Sequence, residues 1–408
     1  MKKIKILHTS DWHLGKKFFK QSRLPEQQLF IEYLKNVIRE MEIDVILIAG
    51  DIFDTPHPPH EAVSIYFEFL NFLSKQKVHA FIIAGNHDSG LFIESPSPLL
   101  EGKNITTCGR LLKEDELNLA DCSRELVIKG TKIHFSLIPY FRNLELETLA
   151  HKWNLKLDNR EDVLNLLNEI FDKTSDKNCH FNILLAHHLF GPYGLSGSEQ
   201  GISLSNLDSI PLELIRGRYD YTALGHIHKA QQFNKEQSPI VYSGSPLPMR
   251  FSEQNAKSIE ILTIDDGQLT HSQYELPIFR EFLRLKLSSK NWEYEIEQFK
   301  KSYLKKGPLS PFVEVQLDLS EPGPGIYDSI RKAIEEMDMQ LISFLPQLPQ
   351  SSISEKSDTE IISKLQNIDE LFQSFYNYKY PDSSIPVELK NLFHEVIEET
   401  SHQRGDVS

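Results

Sequence analysis

The sequence has 408 residues, of which 40% are hydrophobic and 25% charged, and its formal net charge is −14. This length predicts two or three domains, the composition excludes a fibre or a disordered chain, and apolar stretches no longer than a strand exclude a membrane span. Three cysteines without a CxxC pair (Cys108, Cys122 and Cys179) give no sign of a disulfide framework or a zinc–thiolate site, and the start of the chain lacks signal-peptide features, so we expect a cytoplasmic protein without membrane contact.

Residues 1–278 alternate short apolar runs with amphipathic segments. Nearly continuous Ile, Val and Leu predict strands buried on both faces at 3–8, 44–49, 79–84, 133–138, 181–186 and 221–224. Helical spacing of apolar residues predicts helices over 26–41 and 59–76. The later runs 240–243, 258–264 and 268–274, the last two joined by an Asp-Asp-Gly turn, favour antiparallel pairing. We therefore expect an α/β fold with a mixed sheet or two packed sheets.

The texture of the chain changes after residue 278. Residues 279–346 predict a small α+β domain with strands at 281–287, 312–319 and 340–345 and helices at 294–305 and 325–337. Residues 347–358 are rich in Pro, Ser and Gln and predict a linker. Residues 359–408 carry two amphipathic segments, 361–376 and 387–399. Two such short helices cannot bury their apolar faces alone, so we expect them to dock on the body of the protein or on a partner.

Polar residues that could bind metals follow five of the predicted strands. They are Asp11 and His13; Asp51 and Asp54; Asn86, His87 and Asp88; His187 and His188; and His226 and His228. Ligands of α/β sheets gather beyond the carboxyl ends of the strands. Carboxylates and imidazoles without thiolates suit Mn²⁺, Fe²⁺ or Zn²⁺. About seven good ligands are too many for one ion but suit a pair about 4 Å apart, which is the equipment of phosphoryl transfer.

Each motif alone is weak, because capping aspartates and surface histidines are common, but their ordered combination is specific. The set Asp11-Trp12-His13, Gly50-Asp51-x-x-Asp54, Gly85-Asn86-His87-Asp88, His188 and Gly225-His226-x-His228 resembles the signature of the calcineurin-like metallophosphoesterases. The resemblance implies a mixed β-sandwich core flanked by helices. It extends over nearly the whole chain, including the small domain, which would be a capping domain that contacts DNA, and the C-terminal segments.

The resemblance also implies a role for each motif residue. The implied ligands of two metal ions, with Mn²⁺ expected, are Asp11, His13, Asp51, Asn86, His188, His226 and His228, and Asp51 would bridge the ions. His87 would protonate the leaving oxygen or stabilise the transition state, and Asp88 would orient it. The fourth motif departs from the Gly-His of similar chains because it reads His187-His188. We assign His188 because Leu189 follows it, as in the family pattern.

The acidic net charge opposes binding to a polyanion such as DNA, so attraction must come from metals, local basic patches or a partner. Lys16, Lys17, Lys20 and Arg23 follow the first motif and are interleaved with Phe18 and Phe19. Such a loop suits DNA contact. An ordinary solvated loop with packed phenylalanines explains the same pattern equally well.

Within the family, the motifs are most similar to nuclease subunits that act with an SMC-type ATPase. That resemblance implies an ATP-dependent 3′–5′ exonuclease on duplex ends and an endonuclease on single strands and hairpins, with roles in DNA end processing, replication and recombination. It implies that residues 359–408 dock on the ATPase and that the chain forms a homodimer within a heterotetramer.

Two alternatives remain open. The chain could be a metallophosphoesterase for small phosphodiesters such as cyclic nucleotides, although the extra domain and tail segments disfavour so small a role. It could also be a scaffold for DNA ends without catalytic activity, which the complete set of candidate ligands disfavours.

Overall fold

A computed structural model describes most of the chain. The described residues are 3–112, 119–176, 178–191, 209–234, 238–253, 255–318 and 325–347, together with positions 372, 376, 385, 386, 389 and 393. The chain divides into two compact units, Met1–Pro346 and Gln347–Ser408. Among the described residues, no helix combines the length and apolar character needed to cross a membrane.

The first unit contains seventeen strands and eight α-helices within the described residues. The strands are β1 (Ile4–Thr9), β2 (Lys17–Phe18), β3 (Gln21–Ser22), β4 (Val45–Ala49), β5 (His79–Ile83), β6 (Ile105–Cys108), β7 (Ser123–Ile128), β8 (Thr131–Ile138), β9 (Phe181–His187), β10 (Tyr221–Gly225), β11 (Gln231–Phe233), β12 (Ile240–Tyr242), β13 (Ser258–Asp265), β14 (Gln268–Glu275), β15 (Phe282–Ser288), β16 (Phe312–Asp318) and β17 (Gln340–Gln347). The helices are α1 (Leu24–Glu40), α2 (His60–Gln76), α3 (Gly90–Glu94), α4 (Ser97–Leu100), α5 (Asn143–Lys152), α6 (Arg160–Thr174), α7 (Trp292–Ser302) and α8 (Ile326–Glu335).

Two six-stranded sheets form the core. The first has the order β14-β13-β1-β4-β5-β6, and the second has the order β11-β12-β10-β9-β8-β7. Both are mixed: β1, β4, β5 and β6 run parallel while β13 and β14 pair antiparallel, and β8, β9, β10 and β12 run parallel between antiparallel edges. The prediction of an α/β fold with mixed sheets flanked by helices is confirmed.

Strand β4 shows why the buried strands read as continuous apolar runs. Val45, Leu47 and Ala49 face the core between the sheets, where Phe81 of the first sheet stacks on Phe135 of the second with 4.2 Å between ring centroids. The alternate residues of β4, including Ile46, lie in a second core under α1 and α2. Because successive side chains point to opposite faces and both faces are covered, every position of the strand must be apolar.

Some predicted boundaries shift. Helix α1 begins two residues earlier than predicted, with a proline in its first turn, a position that needs no backbone N–H donor. The hairpin of β13 and β14 is present as predicted. The run at 240–243 does not join it, since β12 pairs in parallel with β10 in the other sheet.

Residues 282–347 form a third layer. Strands β15, β16 and β17 make a three-stranded sheet with β16 in the centre, and α7 and α8 cover an apolar cluster that includes Val313, Val315 and Ile330. A group of phenylalanines, Phe18, Phe251, Phe282 and Phe312, lies where this layer meets the β2–β3 hairpin.

The second unit is described at few positions. There the rings of Phe372 and Phe393 stack with 3.9 Å between their centroids. These residues belong to the two amphipathic segments predicted from the sequence. The linker at 347–358 and most of residues 359–408 lie outside the described residues.

Candidate metal centre

The loops after five parallel strands meet at one edge of the two sheets. Strands β1, β4 and β5 supply the loops of the first three motifs, and the ends of β9 and β10 lie side by side because His187 pairs with Gly225. The sheets approach so closely here that a Cβ at Gly225 would collide with the carbonyl oxygen of Ala49. Glycine at this position therefore allows the ligands of one sheet to reach those of the other.

Several of the candidate ligands have unusual backbone conformations. Asp11, His13, Asp51 and His226 have φ angles of 54°, 47°, 50° and 95°. L-residues rarely adopt positive φ, and such strain persists where the surrounding structure enforces it, often at functional sites. Their backbones are held by hydrogen bonds, among them Asp11 N–H to Gly50 O and His13 N–H to Asp51 O, each 3.0 Å. The strain thus accompanies side chains that are turned toward a common point.

The first group of converging ligands contains Asp11, His13 and His228, whose ligand atoms lie within 4.8 Å of one another. All three residues are buried, and Nε2 of His13 lies 3.1 Å from Nε2 of His228. The carboxylate of Asp11 is fixed by Ser10 Oγ–H at 2.5 Å and by the backbone N–H of His226 at 3.0 Å. Two imidazole nitrogens beside a carboxylate, enclosed from water, match the donor set of a first-row divalent ion.

The second group contains Asp11, Asp51 and His187, again within 4.8 Å of one another. The side-chain oxygen of Asn86 adjoins this group, 3.0 Å from Nε2 of His187 and 2.8 Å from Nδ1 of His226. Asp51 Oδ2 lies 3.6 Å from His13 Nε2 and 3.5 Å from His187 Nε2, between the two groups. The clustered residues therefore fit a dinuclear metal site with a carboxylate at its centre.

The charge state of Asp51 suits this position. Burial would raise the pKa of its carboxyl, but the attraction of His187, with a hydrogen bond from that residue, holds the pKa well below its ordinary value. A carboxylate that remains ionised when buried is what a bridging ligand requires.

The structure corrects the assignment of the fourth motif from His188 to His187. Nδ1 of His187 lies 2.7 Å from the carbonyl oxygen of Ala49, and Nε2 faces Asp51. His188 points the other way, between the rings of Tyr140 and Phe141, and its Nε2 accepts a hydrogen bond from Phe141 N–H at 3.3 Å. Burial, followed by repulsion from His187, lowers the pKa of His188 well below its ordinary value. His188 is thus a neutral residue of the wall.

The cause of this error is strand parity. Strand β9 continues through His187, one residue beyond the predicted end at 186. Because side chains alternate between the faces of a strand, a shift of one residue turns the wrong histidine inward.

His87 and Asp88 are also arranged differently from the expectation. Nδ1 of His87 lies 2.9 Å from the carbonyl oxygen of Asp54, and the two imidazoles of His87 and His13 meet edge to face at 4.8 Å. Asp88 does not orient His87. Its carboxylate instead accepts three backbone N–H groups, from Ile52 at 3.1 Å, Phe53 at 2.9 Å and Gly85 at 2.8 Å. Asp88 therefore joins the second and third motif loops, because those N–H groups have that carboxylate as their acceptor.

Asp54 has a role that the sequence left unassigned. Its Oδ1 lies 3.3 Å from Nδ1 of His13 and 2.7 Å from Nζ of Lys16. Burial would raise the pKa of Asp54, but hydrogen bonding with His13 and the charge of Lys16 lower it to about 2. A carboxylate behind a ligating imidazole fixes its tautomer and orientation. The signal was its place within the second motif.

The four basic residues proposed for DNA contact separate into three groups. Lys17 and Lys20 are exposed in the β2–β3 hairpin, with the 57% exposed side chain of Phe19 between them. Lys16 is paired with Asp54. Arg23 is fully buried and pairs with Glu26, so it cannot contact a ligand from solution, which corrects its assignment.

Comparisons with known proteins bear on this site. Residues 4–230 match the family described as calcineurin-like phosphoesterase. SbcD, the second subunit of the nuclease SbcCD, from Escherichia coli K12 is 26% identical over 91% of this chain and 94% of its own length. The protein of the same name from Bacillus subtilis is 31% identical over 65% of this chain and 67% of its own length. A dimetal phosphatase from Danio rerio overlaps 66% of this chain and 95% of its own, with 12% identity and a TM-score of 0.42.

Proposed function

The chain belongs to the calcineurin-like phosphoesterase family, and from that premise we propose that it is the metal-dependent nuclease subunit of an SbcCD-type complex. The observation that carries the proposal is the position of Asp51 between His13 and His187, which joins two groups of converging ligands into one site. The curated relatives, which are similar over most of the chain, provide the substrate class, DNA.

The residues present fit two divalent ions, for which we propose Mn²⁺. Asp11, His13, Asp51 and His228 would hold one ion, and Asp51, Asn86, His187 and His226 would hold the other. When bound, such a pair supplies Lewis acidity toward the phosphate and a water of lowered pKa. The chain contributes the enclosure, since all these residues except Asn86 are buried, and the fixed orientation of each imidazole.

His87 is the candidate for moving a proton. The carbonyl oxygen of Asp54 only accepts hydrogen bonds, so Nδ1 of His87 carries a proton and donates it there. The other ring nitrogen, Nε2, is then the atom that exchanges a proton with substrate. A half-buried imidazole fixed in this way is placed to protonate a leaving oxygen.

The β2–β3 hairpin is the candidate DNA contact of the described residues. Lys17 and Lys20 offer charges to phosphates, and Phe19 offers a ring on which a base can stack. Two lysines do not outweigh a net charge of −14. We therefore propose that an SbcC-like, SMC-type ATPase holds the DNA, that ATP gates access to the site, and that residues 359–408 dock on that ATPase.

The nuclease activity is tested with purified full-length protein and Mn²⁺, alone and with an SbcC-like ATPase and ATP. The substrates are linear duplex DNA, circular single-stranded DNA and a cyclic nucleotide. We expect cleavage of both DNA substrates, with the duplex requiring the ATPase. Hydrolysis of the cyclic nucleotide alone would replace the nuclease by a phosphodiesterase of small substrates.

The docking proposal is tested by a charge introduced on the second unit. Leu389 lies in the second amphipathic segment and is 38% exposed. We expect Leu389→Asp to abolish co-purification with the ATPase, because an apolar docking face cannot bury an unpaired carboxylate. Leu144→Asp is the matched control, since Leu144 is 71% exposed on the first unit. Equal binding by both variants would refute docking through this segment.

A further inference from the structure

A second group of possible ligands lies on the other sheet, away from the catalytic edge. His134 of β8 approaches Asp176 and Cys179 of the turn between α6 and β9, and their ligand atoms lie within 4.8 Å of one another. His134 pairs with Asn182 of β9, five positions before the catalytic His187. At about 3.3 Å per strand residue, the two sites are roughly 16 Å apart along the strand.

The orientation of His134 leaves a lone pair for this group. The residue is buried, with 8% of its surface exposed, and its Nε2 lies 2.6 Å from the carbonyl oxygen of Thr174. A carbonyl only accepts, so Nε2 carries the proton and Nδ1 is the basic nitrogen. Ligating histidines in proteins are commonly oriented through a hydrogen bond from the other ring nitrogen to a carbonyl group.

Asp176 and Cys179 are held in place by the turn. The backbone N–H of Asp176 donates to Asn182 Oδ1 at 3.1 Å, and its Oδ1 accepts from Asn178 N–H at 2.8 Å. Its other oxygen, Oδ2, lies 3.4 Å from Sγ of Cys179. Partial burial, followed by the hydrogen bond to Asp176, raises the pKa of Cys179 to about 11. Without a cation the sulfur therefore stays a thiol, and a cation would displace its proton to solvent.

The neighbouring charges leave room for one divalent ion. Glu125, the cross-strand partner of His134, lies 3.9 Å from Cys179 Sγ, and its charge is balanced by Lys132 Nζ at 2.6 Å. A neutral imidazole, a thiolate and the carboxylate of Asp176 carry two negative charges in total. A divalent ion bound by these three ligands would therefore form a neutral site without disturbing the pair of Glu125 and Lys132.

We propose that His134, Asp176 and Cys179 form a separate zinc-type site that fixes the α6–β9 turn to strand β8. Nitrogen, sulfur and carboxylate ligands together suit Zn²⁺, and three protein ligands leave its fourth position to water or Glu125. The expectation that the cysteines take no part in a zinc–thiolate site rested on their spacing. A site whose donors come from a strand and a distant turn has no CxxC spacing.

Cobalt(II) is the probe because sulfur ligation gives a near-ultraviolet charge-transfer band, whereas the carboxylate, imidazole and amide ligands of the catalytic edge contain no sulfur. We expect titration of the full-length reduced protein with Co²⁺ to produce this band. It should vanish in Cys179→Ala and persist in Cys122→Ala, the matched control. Absence of the band from the unmodified protein, or its survival in Cys179→Ala, overturns the proposal.

Two conservative variants test the other ligands. His134→Gln and Asp176→Asn keep polarity and size close to those of the native residues. We expect each to weaken Co²⁺ binding at this band by about 10-fold or more, since even the loss of a residue that orients a ligand costs 10–100-fold. Unchanged affinity in either variant overturns the three-ligand site. Circular dichroism of each variant verifies that the comparison is made between folded proteins.

Discussion

Nδ1 of His187 lies 2.7 Å from the carbonyl oxygen of Ala49, so a strand of one sheet orients the imidazole supplied by the other. Nδ1 therefore carries the proton, and Nε2 is left as the ligand atom toward Asp51. The neighbouring His188 has the same chemistry but faces an aromatic wall.

The adjacent histidines should respond differently to substitution. We expect His187→Asn to lower metal affinity and Mn²⁺-dependent activity by at least 10–100-fold, the cost of losing even an orienting residue. His188→Leu should lower stability by about 1–3 kcal/mol, because Phe141 N–H loses its acceptor, and should leave metal content unchanged. Metal analysis and thermal unfolding of both variants separate the roles. The reverse pattern would restore His188 as the ligand.

Asp54 should act through His13 rather than on the substrate. We expect Asp54→Asn to reduce activity by about 10–100-fold by weakening the orientation and basicity of the His13 ring. Added Mn²⁺ should recover part of the loss, since the defect is in metal affinity. Activity measured across Mn²⁺ concentrations tests this, with the exposed Asp158→Asn as the control. A loss that no Mn²⁺ concentration reduces would place Asp54 in a different role.

His87 should affect turnover without affecting metal binding. We expect His87→Gln to lower kcat by about 100- to 10,000-fold, the usual contribution of a general acid, with bound metal unchanged. The exposed His151→Gln provides the matched control. Loss of metal together with activity in His87→Gln would mean that His87 is a ligand.

Asp88 should matter for stability more than for proton transfer. Asp88→Ala leaves three backbone N–H groups without their acceptor, and each such loss costs about 1–3 kcal/mol. Asp88→Asn keeps an accepting oxygen and should cost less. Urea unfolding of the two variants gives the ranking, and equal stability of both would contradict the role of Asp88 in joining the loops.

Glu26 is the centre of a buried ion cluster that joins α1 to the chain entering β15. It pairs with Arg23 and, at 3.1 Å, with Arg280, and it is only 1% exposed. We expect Glu26→Gln to lower the free energy of unfolding by about 3–5 kcal/mol, because two buried guanidinium groups lose their counter-charge. The pair of Glu32 with Lys35 on the same helix has a 64% exposed carboxylate. Glu32→Gln should change stability by at most about 1 kcal/mol.

The sequence predicted the architecture well because apolar runs and helical spacing report burial directly. Buried strands such as β4 and the amphipathic helix α1 were predicted within a few residues. The order of the motifs predicted which strand ends bear polar side chains.

Side-chain direction and long-range pairing were not predictable in the same way. His187 and His188 differ only by strand parity, and the acceptors that fix Asp88 and His87 are backbone atoms of a loop distant in sequence. Arg23 reads as part of a basic loop, although its partner Glu26 and the ring of Phe282 enclose it. Such contacts depend on how the third layer covers the hairpin, which no local pattern reports.

The pairing of β1 with β13 has a consequence for biosynthesis. Ile4 lies opposite Ile264, so one edge of the first strand has no partner until most of the first unit has left the ribosome. An unpaired apolar strand edge invites association with other chains, and such distant pairing slows folding. The growing chain therefore depends most on protection, by chaperones or by rapid translation, during the interval between these two strands.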